Sequence, residues 1–140
     1  MPAFQREIPV RFGHCDPASI VFYPRYFEMT NSVVENFFAE VLGYPFTRIH
    51  IEEHSGVPTV QIEASFMAPS RLGEVLDFTL TVQKIGRSSV QLLQEAQAGG
   101  QQKLRVALTL VWVTPDGRAS AWPEVIRRKM TQFKESDDGA

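Results

Sequence analysis

An aspartate, Asp16, stands in a short polar loop a few residues ahead of Pro24, which suits the first position of a helix because its missing N–H is not needed there. The stretch runs Arg11-Phe12-Gly13-His14-Cys15-Asp16-Pro17-Ala18-Ser19-Ile20-Val21-Phe22-Tyr23-Pro24-Arg25-Tyr26 and reads as a strand end, a tight loop and a first helical turn. A helix N-terminus offers backbone N–H groups without intrahelical partners and the positive end of a dipole. A carboxylate just before it supplies what attack on a carbonyl needs: a group that acts on the carbonyl or on water, and fixed donors for the oxyanion that develops. The plainer role for Asp16 is a turn carboxylate satisfying nearby backbone N–H groups. His14 reads as a partly exposed loop residue, with orienting Asp16 as its alternative use. Cys15 suggests a nucleophile, but a small buried cysteine suits a strand-like neighbourhood better. His50-Ile51-Glu52-Glu53-His54 matches the H-x-x-E-H zinc motif. That motif needs a stable helix and a third ligand, and Pro45, Gly56 and Pro58 crowd this segment, so it reads as a polar surface loop with no metal.

The elements that must hold these residues follow from hydrophobic period. Glu7 to Phe12 alternates as a half-buried strand. A helix from about Pro24 to Leu42 carries Phe27, Val34, Phe37, Phe38, Val41 and Leu42 at three- and four-residue spacing, and Gly43 suits a left-handed C-terminal residue. Tyr44 to Val57 is irregular, with room for one helical turn. From Pro58 the period becomes two: Val60, Ile62, Ala64 and Phe66 face one way. Leu76, Phe78, Leu80 and Val82 mark the next strand. A further strand covers about Ser89 to Ala98, and its alternation slips at Leu92-Leu93, which predicts a bulge. Gly99-Gly100 predicts a hairpin. Lys103 to Val113 ends almost continuously apolar, which predicts burial on both faces. Pro123 opens a last helix with Val125, Ile126, Met130 and Phe133, and a tail from about 135 to 140 reads as frayed. The order implies an α+β fold over one domain, 1–140: an antiparallel sheet of about five strands around one long helix, with a short C-terminal helix. One sheet wrapped around one helix leaves a face and an edge open, so a dimer or higher oligomer is expected.

Bulk properties narrow the function classes. A chain of 140 residues with 44% hydrophobic and 21% charged residues is an ordinary globular composition, not a disordered one. A formal net charge of -2 gives no electrostatic basis for nucleic-acid binding. Cys15 is the single cysteine, so no intrachain disulfide forms, which fits a reducing compartment. No apolar run reaches membrane-span length, no signal-peptide order opens the chain, and a cytoplasmic protein without membrane partners is expected.

The stretch Phe12 to Tyr26 resembles the signature of the 4-hydroxybenzoyl-CoA thioesterase family of hot-dog-fold proteins, which reads roughly Phe-Gly-Asp-Cys-Asp-Pro-Ala-Gly-Ile-Val-Trp-Tyr-Pro-Asn-Tyr. The likeness extends to Ala64-Ser65-Phe66 and to the order of elements. It implies a hot-dog fold, assembly as a homodimer or homotetramer with active sites at the dimer interface, and hydrolysis of a small acyl-CoA, with an aromatic, hydroxybenzoyl-like acyl group favoured over a short or medium aliphatic one. It implies no cofactor, since CoA is part of the substrate, and no metal. By the same resemblance Asp16 is the catalytic carboxylate, as nucleophile or general base. Tyr23 supplies the backbone N–H that binds the thioester oxygen. Asn31 matches an acidic residue that meets the ring hydroxyl of the hydroxybenzoyl group, and Arg87 and Ser88 fall where basic residues meet the CoA phosphates. Phe22, Tyr26, Val57 and Pro58 are candidates to line the acyl pocket. The basic cluster around Arg87 is thin, so Arg71, Arg127, Arg128 and Lys129 are further candidates for the phosphates. His14 replaces an acid and Asn31 replaces another. Ser19 replaces a common glycine, and it carries strain if that position needs positive φ. A hydratase of this fold typically has a histidine where Val21 stands, which leaves hydration and a non-catalytic acyl-CoA-binding module as the weaker readings.

Overall fold

The computed structural model describes residues 3–136, so residues 137–140 of the expected tail lie outside the described residues. The strands β1 (Phe4–Pro9), β2 (Thr59–Phe66), β3 (Val75–Ile85), β4 (Ser89–Ala98) and β5 (Gln101–Val111) form a five-stranded antiparallel sheet in the order β1-β3-β4-β5-β2. The long helix α1 (Pro24–Glu40) packs on the inner face of the sheet, and α2 (Glu124–Glu135) packs against β3. This is the hot-dog arrangement that the residue pattern and the resemblance both imply.

The helix forms where the apolar period required it. Tyr26, Met29, Val33, Val34, Phe37 and Phe38 are buried on one side, and full burial of each large apolar side chain contributes about 1.5–3 kcal/mol. Gly43 ends the run at φ 65°, and the Tyr44 N–H reaches back to the Phe38 carbonyl at 2.9 Å. Phe27, grouped with the core by spacing, is half-buried because it faces the open edge beside β2.

Several expectations are corrected. The first strand ends at Pro9, and Phe12–His14 instead form a short 3-10 turn. The helical turn in the irregular segment is of π type, Thr47–Glu52. Leu92-Leu93 is not a bulge: β4 keeps strict alternation, because Leu93 takes the outer face and Gln94 takes the buried one. Gln94 is accommodated there by donating its amide to the Thr30 carbonyl at 2.9 Å, although its Oε1 has no partner among the described residues. The bulges lie elsewhere, where the pairing skips Val60 in β2, Gln83 in β3 and Lys103 in β5. At Val60 the skip places Thr59, opposite Leu110, on the inward side and turns Val60 out to 60% exposure, so Val60 does not share a face with Ile62. Nor is β5 buried on both faces. Its Leu104, Val106, Leu108 and Leu110 are buried, while Arg105 and Ala107 on the outer face are exposed.

Candidate active site

The carboxylate loop is closed by its own backbone. Cys15 and Val21 bridge, the Phe22 N–H donates to the His14 carbonyl at 2.9 Å, and the Asp16 N–H donates to the Ile20 carbonyl at 3.0 Å. Asp16 is half-buried, and its Oδ1 accepts the Ala18 N–H at 2.8 Å in an Asx turn. Its Oδ2 has no partner among the described residues. Ser19 sits at φ 64°, which is the strained conformation expected if a glycine position is filled by serine. His14 makes no hydrogen bond to Asp16 among the described residues; its Nδ1 accepts the Arg11 N–H at 2.9 Å and so holds the preceding 3-10 turn. Cys15 is half-buried rather than buried, with Sγ 3.5 Å from the Arg11 carbonyl.

The helix start presents less than a general N-terminus would. Pro24 has no N–H, the Arg25 N–H donates to the Phe22 carbonyl at 2.9 Å, and the Tyr26 N–H donates to the Tyr23 carbonyl at 3.1 Å. The Tyr23 N–H remains without a partner among the described residues. One donor is therefore offered where the loop returns to the helix.

From this point an apolar furrow runs between α1 and the edge strand β2. Near the helix start it is lined by Val21, Tyr23, Tyr26, Phe66 and Met67. The Phe66 ring lies against three aromatic neighbours: Tyr26 stacks at 5.8 Å, and Tyr23 and Phe27 meet it edge-on at 6.0 and 6.2 Å. Further along the helix the walls are Phe27, Asn31, Val34, Thr59 and Ile62. The far stretch adds Val57, Pro58 and His50 to Asn31 and Val34. Tyr23 and Tyr26 thus line the stretch at the helix start, Asn31, Val57 and Pro58 line the far stretch, and the Phe27–Phe66 contact stands between them. Phe22 lines neither stretch; the ring is 48% exposed and packs on Tyr23, because alternation turns Val21 inward and Phe22 out.

Sequence reasoning missed Phe66, Met67, Phe27 and Ile62 as furrow residues. The signal was available in β2, whose apolar alternation shows which residues share a face, and an edge strand leaves such residues open: Ile62 is 44% and Phe66 49% exposed.

Arg87 and Ser88 lie apart from this group. They form the turn after β3, where the Arg87 carbonyl accepts the Trp122 N–H at 3.0 Å and the Ser88 carbonyl accepts the Trp112 N–H at 2.8 Å. The carboxylate loop rests on residues before β3, through the Ile20–Arg71 bridge. The two therefore stand at opposite ends of an 11-residue strand, ~33 Å apart along it. Arg127 joins the Arg87 end, donating to the Gly86 carbonyl at 2.6 Å, whereas Arg71 is exposed beside the carboxylate loop.

Among the described residues no group of three metal-type side chains gathers at the histidine-rich segment. His50 sits in the π-type turn with its ring edge-on to Phe46 at 5.2 Å, His54 lies beyond the turn at φ 53°, and the Glu53 carboxylate is taken by the Tyr44 hydroxyl and Arg48. The Tyr44 hydrogen bond, followed by that of Arg48, holds the Glu53 carboxyl below its ordinary range. No helix among the described residues is long and apolar enough to cross a membrane.

Comparison with known proteins gives a consistent picture. The family model of the thioesterase-like superfamily matches residues 10–130. Over 82 residues the chain is 32% identical to the 4-hydroxybenzoyl-CoA thioesterase of Pseudomonas sp. (strain CBS-3), covering 57% of each protein. Over 99 residues it is 30% identical to the 1,4-dihydroxy-2-naphthoyl-CoA hydrolase of Prochlorococcus marinus (strain NATL1A), covering 66% of each. The matches thus span less than two thirds of either relative. The solved structure of the Pseudomonas enzyme superposes with a TM-score of 0.83 at 24% identity, covering 92% of this chain and 99% of that one, which supports the fold.

Proposed function

The chain belongs to the thioesterase-like superfamily, and from that premise we propose that it hydrolyses an acyl-CoA thioester to the free acid and CoA, with Asp16 and the Tyr23 N–H as the acting groups. The observation that carries this reading is that two groups are left without partners on the short stretch from the carboxylate loop to the helix start, where Tyr23 also lines the apolar hollow. Asp16 commits one carboxylate oxygen to its loop and leaves the other without a partner, and the helix start leaves one backbone donor. The Tyr23 N–H would donate to the thioester oxygen and stabilise the charge that grows there. Losing such a donor in other enzymes costs about 10²–10³ in rate. Asp16 either attacks the acyl carbon, expelling the CoA thiolate and leaving an anhydride that water cleaves, or takes a proton from a water that attacks directly.

A flat aromatic acyl group fits best. The furrow entrance is walled by Tyr23, Tyr26 and Phe66, and the two curated relatives are named for hydroxybenzoyl and dihydroxynaphthoyl substrates. Asn31, further along, offers an amide that bonds a hydroxyl, an amine or a carbonyl. Short or medium aliphatic acyl groups are the second reading, since Val34, Ile62 and Val57 continue the same furrow. Free-thiol release from a panel of aromatic and aliphatic acyl-CoAs tests the class and the preference. Asp16→Asn keeps an oxygen for the Ala18 N–H, so the loop should persist while turnover falls by roughly 10²-fold or more. Near-full activity in that variant would end the mechanism. Acid-quenched single turnover with a radiolabelled acyl group separates the routes, since only the nucleophile route leaves label on the protein.

A further inference from the structure

The segment between β2 and β3 makes more contacts with the site than its irregular sequence suggests. Ser70 is fully buried there. Its carbonyl accepts the Val21 N–H at 2.9 Å, and its Oγ shares a 2.7 Å hydrogen bond with the Tyr26 hydroxyl. Val21 is the residue on which the carboxylate loop closes, and Tyr26 lies in the first turn of α1. The stretch from Val21 to Tyr26, which carries the Tyr23 N–H, is thus pinned near both ends to one side chain and its own backbone.

Ser70 is itself held. The bulge in β5 turns Lys103 inward, where its ammonium donates to the Pro69 carbonyl at 2.9 Å and pairs with Glu74 at 3.4 Å. Glu74 in turn accepts the Arg71 N–H at 2.6 Å, and the Leu72 N–H donates to the Ser19 carbonyl at 3.0 Å. The clip therefore ties the bulge, the connecting segment, the carboxylate loop and the helix start into one set.

We propose that Ser70 and Tyr26 form a positioning pair that fixes where the Tyr23 N–H stands relative to the Asp16 carboxylate. The inference rests on the reading of Asp16 and Tyr23 given above. Burial, the largest cause, pushes the Tyr26 phenol above its ordinary value, so the pair stays intact through neutral and mildly alkaline pH. Misplacement by an ångström in a reacting constellation costs up to about 10²-fold in rate.

The test uses Ser70→Ala, Tyr26→Phe, their combination and Ser70→Thr in the full chain. Ser70→Ala removes only the hydroxyl and leaves the carbonyl bonded to Val21. On the acyl-CoA hydrolysed fastest in the panel, each single variant should lose roughly tenfold in kcat with KM within about twofold. The double variant should be no worse than either single one, because both act through one bond, and Ser70→Thr should recover most of the rate. In ¹⁵N-labelled protein the Tyr23 amide signal should move in both single variants while that of Gly117, in a remote turn, stays in place. Wild-type kcat in a folded Ser70→Ala protein, multiplicative losses in the double variant, or an unmoved Tyr23 signal would each overturn the proposal. Asp16→Asn, run in the same assay, judges the underlying reading separately: full turnover there with a displaced Tyr23 signal would reject the role of Asp16 and not the positioning.

Discussion

At the scale of single residues, the site is a short list of groups left unspent by local structure. Asp16 has one oxygen to offer because the Asx turn takes the other, and Tyr23 keeps its N–H because it caps the helix, ahead of the first residue whose N–H bonds back within the turn. An aspartate in a polar loop ahead of a helix start was legible in the sequence, since such loops depend on near neighbours; the Tyr23 N–H came only from the family resemblance. Ser70 was not legible. Its importance comes from contacts to Val21 and Tyr26 made across the fold, and a serine in an irregular segment carries no periodic signal. Ser19 gives a direct check on the loop. A non-glycine residue in the left-handed region costs about 1–2 kcal/mol, part of which glycine returns through its freer unfolded chain. Ser19→Gly should therefore stabilise the protein by about 0.5–1 kcal/mol, read as a higher urea midpoint at unchanged slope. A lower midpoint would mean that the serine side chain contributes more than the strain removes.

Among elements, the informative events are breaks in period. The alternation of β3 and the Gly99-Gly100 hairpin were readable, and both glycines take positive φ. The skips at Val60 and Lys103 were not, because a bulge is set by the partner strand and leaves the sequence pattern ambiguous. The slip at Leu92-Leu93 misled for the opposite reason: a buried glutamine imitates a change of face. Gln94→Met should shift stability by less than about 1 kcal/mol in either direction, since it removes an orphaned oxygen together with one hydrogen bond. A loss well beyond that in a denaturant melt would show that the Gln94 Oε1 is satisfied in solution. Glu74 makes an acid-sensitive hinge of the connecting segment. The Arg71 N–H first, and Lys103 after it, hold its carboxyl below the ordinary value of 4.5. A lowered carboxyl adds stability above that value and loses it as pH falls through the folded value. The urea midpoint of the wild type should drop as pH falls below 4.5. Glu74→Gln, which leaves Lys103 without a counter-charge, should start lower at neutral pH and show a flatter acid limb; an unchanged limb would remove Glu74 from the clip.

For the whole molecule, the open edge decides the outcome. A second copy is expected from an open face and an open edge; the outer face of β5 is indeed uncovered, and the open edge is β2, carrying Val60, Ile62 and Phe66 at 44% to 60% exposure. Ile62→Lys should shift the protein toward monomer in light scattering, with the wild type running as a dimer or larger; a monomeric wild type would remove the edge as an interface. The placement of Arg87 has a consequence for energetics. Because Arg87 and Asp16 stand a full strand apart in one chain, a single CoA held by both would have to lie across two copies. Substrate and assembly would then be thermodynamically linked. Bound CoA would act as a strap that tightens the oligomer, and dilution would weaken the apparent affinity for CoA with no change in any contacting side chain.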